Sequence, residues 1–136
     1  SVLVEKGEGV YEGYGPDDML VETGKISGGR REGEWTTYYP QSDKIVMSTA
    51  NYVNGEPDGL HHFFFEDGTL QIEGLIVKGK REGPWKWYHQ NATLESSVDF
   101  KEGKKEGTQH FYLDDGTLTR TEVYKQGALV ENQIEP

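Results

Sequence analysis

The sequence predicts an all-β protein, an elongated single-layer antiparallel meander of about five β-hairpin repeats. A Gly-x-x-x-Gly element recurs at a nearly constant interval, and aromatic and apolar residues fall into columns when the chain is aligned on it. Glycine, which disfavours helix, is frequent, at 18 of 136 residues. Aromatic residues make up 12% of the chain, which favours a folded protein over a disordered one.

The repeat is marked by a glycine that opens each unit, at Gly29, Gly55, Gly79, Gly103 and Gly127. The interval is 26 residues once and 24 thereafter, and the two extra residues fall in a turn, where insertions are tolerated. A degenerate unit precedes the first clear one. We therefore expect one domain over 1–136, with units at about 5–28, 29–54, 55–78, 79–102 and 103–126 and a tail at 127–136.

Each unit is predicted to be one hairpin, which gives about ten strands in all. Asp-Gly between two apolar runs, at Asp67-Gly68, is a strong hairpin signal. A two-residue turn would pair Phe65 with Leu70, whereas a type I turn with Gly68 in a left-handed bulge would pair Phe64 with Leu70. We favour the bulge, because it sets two regular columns opposite each other.

The second glycine of each element is predicted to have positive φ or to permit a close backbone approach. These structural turn positions are Gly33, Gly59, Gly83 and Gly107.

Strand alternation then divides the apolar residues between two faces. We expect one face to carry Tyr38, Phe64, Tyr88 and Tyr112, with the leucine column (Leu20, Val46, Leu70, Leu94 and Leu118) and the column of Ile26, Tyr52, Ile76, Phe100 and Tyr124. The other face is expected to be an exposed aromatic stripe and to form the partner-binding surface. Its predicted members are Trp35, Tyr39, Phe63, Phe65, Trp85 and Trp87, with Phe111 on the same side.

These columns resemble the MORN (membrane occupation and recognition nexus) repeat in its bacterial variant form. Gly79-Lys80-Arg81-Glu82-Gly83-Pro84-Trp85-Lys86-Trp87-Tyr88 is similar to the variant's motif, and the resemblance covers almost the whole chain. The third unit departs from it with His61 in place of Trp, and the fourth has Asn91-Ala92 in place of Asn-Gly. The resemblance implies a β-hairpin repeat, no catalytic residues, and an antitoxin-like component of a toxin–antitoxin pair.

The composition of the chain excludes several classes of binding partner. Fourteen Lys and Arg against 24 Asp and Glu give a net charge of −10, without the basic cluster that phosphate groups require, so we expect neither nucleic acid nor a membrane surface as partner. The chain has no Cys, which excludes thiol chemistry, and no apolar run approaches a membrane span. It begins at Ser1 rather than Met, so we expect a segment upstream that was cleaved or omitted. The compartment is left open, with an exported or periplasmic location favoured.

Candidate chemistry is sparse. His61 and His62 are strand neighbours and should point to opposite faces, so they cannot share a metal ion. Acidic residues before the second glycine could form a carboxylate ladder for cations or a basic partner, but solvated turn residues are the favoured interpretation. These residues are Glu32, Asp58, Glu82 and Glu106.

We therefore predict a non-enzymatic, protein-binding repeat module without cofactor or metal, whose partner could be basic. The net charge of −10 would steer a basic partner toward it. A glycan-binding module that uses the Trp and Phe stripe is the alternative, because aromatic rings also stack on sugars.

Overall fold

The structure is a computed structural model that describes residues 2–136. The described residues form twelve strands and no helix, and the strands pair antiparallel in chain order within one open sheet. The strands are β1 (Val2–Glu5), β2 (Glu8–Tyr14), β3 (Leu20–Ser27), β4 (Arg30–Tyr38), β5 (Val46–Val53), β6 (Glu56–Phe64), β7 (Leu70–Val77), β8 (Lys80–Tyr88), β9 (Leu94–Lys101), β10 (Lys104–Tyr112), β11 (Leu118–Lys125) and β12 (Ala128–Ile134).

The predicted fold class is confirmed, as a single-layer antiparallel meander of consecutive hairpins. The count of about ten strands is low by two. One additional strand, β1, lies almost entirely before the first predicted unit, which was taken to begin at about residue 5, and the other, β12, lies in the segment 127–136 that was taken as a tail.

Two turn types alternate along the chain. Turns between units have two residues, as at Asn54-Gly55, where φ is 51° and 86°. Positive φ at both positions defines a type I′ turn, whose twist matches that of the strands that it joins. Turns within units follow the predicted bulge: the amide of Gly68 donates to Phe65 O at 2.9 Å, and Phe64 pairs with Leu70 as expected.

The second glycine of each element lies in a bulge of the strand that follows the type I′ turn. The prediction of positive φ is confirmed, at 74° for Gly33, 123° for Gly59, 71° for Gly83 and 92° for Gly107. A Cβ at Gly83 would meet no atom within 4 Å, so the backbone conformation alone, and not a close approach, requires glycine there.

A further bulge corrects the predicted assignment of the faces. Phe64 pairs with Leu70 and Phe63 pairs with Ile72, so Gln71 is an extra residue between two partners. One extra residue reverses the alternation, which places Leu70 and Ile72 on opposite faces. The register shifts at the corresponding place in the other hairpins, from β2–β3 to β10–β11.

The sequence predicted that one column shares a face with the leucines, but it lies on the face of the tryptophans. This column consists of Ile26, Tyr52, Ile76, Phe100 and Tyr124. The rings of Trp35 and Tyr52 are 6.2 Å apart, and so are those of Trp85 and Phe100. We call this side the tryptophan face, and the side with Tyr38, Phe64, Tyr88 and Tyr112 the tyrosine face.

Candidate functional site

Trp85 shows how a single sheet can bury a large side chain. A Cβ added to Gly74, on the preceding strand, would lie 2.1 Å from the Trp85 ring, so the ring rests directly on the glycine backbone. The indole Nε1 donates to Leu75 O at 3.0 Å, which satisfies its one polar group. Trp35 is held in the same way, over Gly24.

An arginine covers the outer side of both Trp85 and Trp35. The guanidinium carbon of Arg81 lies 4.5 Å from the centre of the Trp85 ring, and that of Arg31 lies 4.1 Å from the centre of the Trp35 ring. Planar guanidinium groups stack well on aromatic faces. Trp85 is therefore 0% exposed and Trp35 is 2% exposed, although the sheet has only one layer.

The expectation that Trp35 and Trp85 form an exposed contact surface is therefore wrong. A residue without accessible surface cannot touch a partner. The ring of each of these two tryptophans contacts a glycine backbone on one side and an arginine side chain on the other. Trp85 instead forms the core with Val98 and Phe100, and Ile72, Ile76 and Trp87 pack against this cluster.

The other four predicted contact residues are half-buried. Tyr39 donates its hydroxyl to Phe64 O of the next unit, so it links two hairpins. Phe63 stacks on His61 with ring centres 4.4 Å apart. Phe65 lies at the start of a turn, and Trp87 packs against the core while keeping part of its ring accessible.

The tyrosine face carries the more exposed apolar surface. Its two regular columns are half-exposed along the sheet. Leu60 and Leu75 pair directly across β6 and β7 and are 61% and 38% exposed. An apolar hollow is lined by Ile45, Val46, Thr49, Phe64 and Gly68.

The fifth unit replaces the tryptophan arrangement with polar side chains. Gln109 stands in the Trp column and Lys105 in the Arg column, and Lys105 Nζ donates to Gln109 Oε1 at 2.8 Å. Gln109 is buried and its Nε2 donates to Ser96 Oγ, also at 2.8 Å. Burial lowers the pKa of Lys105, against the opposing effect of Glu122. A shallow cleft with polar groups results, which sequence reasoning missed.

Three of the four recurring carboxylates have a structural role. Glu32, Glu82 and Glu106 each accept a hydrogen bond from a backbone amide of the following turn, at 2.9 Å in all three cases. The favoured interpretation of these carboxylates as solvated turn residues is therefore incomplete, because they also bind the backbone of the next turn. In the third unit Asp58 is one methylene shorter, and among the described residues it makes no such bond to Lys78.

The histidines lie as predicted on opposite faces. His61 stacks on Phe63 and approaches Trp85, whereas His62 stacks on Phe64 of the tyrosine face. Burial, with smaller contributions from Arg81 and His62, lowers the pKa of His61 below its ordinary value of 6.5.

A scan against protein-family models finds no matching family, and a search of curated proteins finds no significant match. No helix among the described residues is long and apolar enough to cross a bilayer. The function of these surfaces must therefore follow from their own chemistry.

Proposed function

We propose that this protein is a non-enzymatic, protein-binding repeat module, and that its contact surface is the tyrosine face. The observation that carries the proposal is the uncovered apolar surface of this face. Half-exposed aromatic and aliphatic columns run along it, and no second layer covers them. Contiguous exposed apolar surface is typical of interaction sites.

The position of the apolar hollow supports a partner with a large apolar side chain. The hollow lies beside the turns of the second and third units, where Ile45 belongs to the segment with the two inserted residues. An apolar side chain of a partner would be desolvated there, which is the usual environment of an interface anchor.

The charge along this edge of the sheet supports a basic partner. The turns within the units all lie along the same edge, because every hairpin runs in the same sense. They hold seven acidic residues and one lysine: Asp17, Asp18, Asp43, Glu66, Asp67, Asp114 and Asp115, and Lys44. A hydrogen bond from Thr69 lowers the pKa of Asp67, which keeps it charged. Such a surface attracts cationic partners with a salt-dependent association rate.

The resemblance to the MORN variant makes an antitoxin-like role one form of this proposal, in which a basic toxin domain is the partner. The neighbouring gene is the most direct source of a candidate, because such pairs are encoded together. A candidate should be tested as a purified protein, by titration calorimetry at two salt concentrations.

The test uses a charged substitution on each side of the sheet. We expect Leu60→Glu, on the tyrosine face, to weaken binding at least tenfold, because it places a carboxylate in the apolar contact. Leu129→Glu, on β12 where Leu129 pairs with Tyr124 of the tryptophan face, is the matched control and should bind as the wild type does. Equal affinity of the Leu60→Glu protein, or affinity that does not fall with salt, would contradict the proposal.

A further inference from the structure

Asn54 and Gly55 form the two-residue turn that joins the second unit to the third. Their φ angles of 51° and 86° define a type I′ turn, and both residues are exposed to solvent. Asn54 is the one asparagine of the chain that precedes glycine, since the others precede Tyr52, Ala92 and Gln133. No side chain on the next residue therefore shields the backbone nitrogen that follows Asn54.

An unshielded nitrogen after asparagine permits a spontaneous reaction, deamidation, and asparagine is for this reason a thermolabile residue. Hydroxide removes the proton of the Gly55 amide, and the nitrogen attacks Cγ of Asn54 to form a five-membered succinimide ring. The side-chain nitrogen leaves as ammonia with a proton returned by water. A second water molecule opens the ring to aspartate or to isoaspartate, in which the main chain runs through Cβ and Cγ.

The closed turn holds the two reacting atoms apart. The first central residue of a type I′ turn has a ψ of about +30°, the mirror image of its value in a type I turn. At this angle the Gly55 nitrogen lies nearly opposite Cβ of Asn54 across the Cα–C bond, whereas ring closure requires both on the same side. Because reaction requires the reacting atoms to be in contact and aligned, the closed turn is unreactive.

Two hydrogen bonds to β4 keep the turn in this conformation. The amide of Gly55 donates to Arg31 O at 3.0 Å, which also occupies the proton that must be removed. The amide of Asn54 donates to Glu32 Oε2 at 2.9 Å. The turn must release both bonds before the backbone of Asn54 can rotate into the reactive geometry.

The side chains of two other asparagines are held in hydrogen bonds of their own. Asn51 Nδ2 donates to Asp58 O at 2.7 Å, and Asn91 Nδ2 donates to Asp114 O at 3.0 Å. Asn132 lies within β12, where its backbone is extended. Each of the three also precedes a residue with a side chain, so these positions are less reactive than Asn54 once its turn opens.

We propose that Asn54 is the deamidation site of this protein and that local opening of its turn controls the reaction. The rate in the folded chain is then the rate of the open turn multiplied by the fraction of time that the turn is open. Isoaspartate adds an atom to the main chain of a two-residue turn, and both products add a carboxylate beside Glu32. The turn cannot close again as before, so the reaction permanently weakens the junction of the second and third units.

The first experiment needs no partner and is independent of the proposed protein contact. It incubates the full chain at mildly alkaline pH, folded in buffer and unfolded in guanidinium chloride, and locates the products by peptide mapping with mass spectrometry. We expect Asn54 to react first in both states, and at least about tenfold more slowly in the folded chain. Equal rates in the two states, or earlier reaction at another asparagine, would overturn the proposal.

A matched pair of substitutions tests whether the turn opens locally. Glu32→Ala removes the acceptor of the Asn54 amide and should accelerate the reaction about three- to tenfold, which corresponds to the loss of one hydrogen bond. Glu106→Ala removes the same bond from the Gln126-Gly127 turn and should leave the rate at Asn54 unchanged.

Hydrogen exchange of the Gly55 amide requires the same opening and gives an independent measurement. In the Glu32→Ala protein it should accelerate by the same factor as deamidation, because both rates are proportional to the open fraction of the turn. Unequal factors, or equal acceleration of Asn54 by Glu106→Ala, would show that local opening does not control the reaction.

Discussion

The absence of a side chain at Gly74 lets the Trp85 ring lie directly against the sheet backbone. Gly74 has no Cβ, and its φ lies outside the left-handed region, so room for the ring is the only requirement for glycine here. Gly24 gives the Trp35 ring the same room, since a Cβ there would lie 2.1 Å from that ring.

We expect Gly74→Ala to destabilise the protein by about 1–3 kcal/mol, because the new Cβ would overlap the Trp85 ring. Urea unfolding of both proteins measures this difference. The same substitution in a Trp85→Phe background should cost less, since the smaller ring can shift. An equal cost in both backgrounds would contradict the proposed role of the ring.

Ala92 is a non-glycine residue in a left-handed conformation, with φ of 72°. The sequence left open whether Asn91-Ala92 forms a different turn, and the structure shows the same one, with Ala92 N bonded to His89 O. L-residues are disfavoured in this region by about 1–2 kcal/mol, partly offset by the greater freedom of glycine in the unfolded chain.

Ala92→Gly should therefore stabilise the protein by about 0.5–1 kcal/mol, measured by urea unfolding. Gly116 has the same place in the fifth unit, with φ of 91° and no atom within 4 Å of an added Cβ. Gly116→Ala is thus the matched reverse change and should lower stability by a similar amount. If both substitutions act in the same direction, backbone strain is not the cause.

His61 should make stability depend on pH. Its pKa is lowered in the folded protein, chiefly by burial, while the unfolded chain keeps the ordinary value of 6.5. The unfolded state therefore binds the proton first, so the stabilisation is present above pH 6.5 and is lost as pH falls through the lower folded pKa.

We expect Tm of the wild type to fall between about pH 7.5 and about pH 5 by more than that of His61→Gln. Glutamine is the natural occupant of this column in the fifth unit, as Gln109, and it does not titrate. Parallel pH profiles of the two proteins would rule out His61 as the source.

Neighbouring hairpins are joined by backbone and side-chain bonds between their turns. The amide of Gly103 donates to Arg81 O at 3.0 Å, and the amide of Glu102 donates to the Glu82 carboxylate. The first kind of bond also forms at the Lys78-Gly79 turn, from Gly79 to Pro57 O, but among the described residues Asp58 makes no bond of the second kind to that turn. The third unit has a shorter carboxylate side chain and a different bulge, with φ of 123° at Gly59 against 71° at Gly83.

Asp58→Glu should therefore add one hydrogen bond, from the amide of Lys78, and stabilise the protein by about 0.5–1.5 kcal/mol. Slower hydrogen exchange of the Lys78 amide is the direct measurement. Glu82→Asp, the reverse change one unit further along, should speed exchange at Glu102. Unchanged exchange at Lys78 would mean that the added methylene does not close the gap.

Each strand pairs along its backbone only with its sequence neighbours in the sheet, so stability should vary along the array. The densest packing surrounds Trp85, Val98 and Phe100 on β8 and β9, whereas every residue of β12 is exposed. Local opening is easiest where few apolar contacts hold the backbone.

Hydrogen exchange followed by mass spectrometry should therefore be slowest in β8 and β9 and fastest in β12. Trp85→Ala should raise exchange rates most in β7 to β9 and least in β2. A uniform increase over all strands would instead indicate that the sheet opens as one cooperative unit.

The local features of the fold could be predicted from the sequence because turns and backbone dihedrals depend on a few adjacent residues. The hairpin meander, the pairing of Phe64 with Leu70 and the positive φ of Gly83 follow from glycine placement and turn chemistry. The faces of the tyrosine, leucine and tryptophan columns were also predicted correctly, and only the column of Ile26, Tyr52, Ile76, Phe100 and Tyr124 was assigned to the wrong face.

Only the tertiary structure decided that the column of Ile26, Tyr52, Ile76, Phe100 and Tyr124 lies on the tryptophan face, and which aromatic residues stay accessible. The bulge at Gln71 has no sequence signal that we recognised, yet one extra residue reverses every later side chain in its strand. Burial of Trp85 depends on Gly74 and Arg81, which meet it across the sheet and from its own strand. The face of a side chain depends on every bulge that precedes it in the strand, and its burial depends on contacts with neighbouring strands. Neither property can therefore be determined from one residue alone.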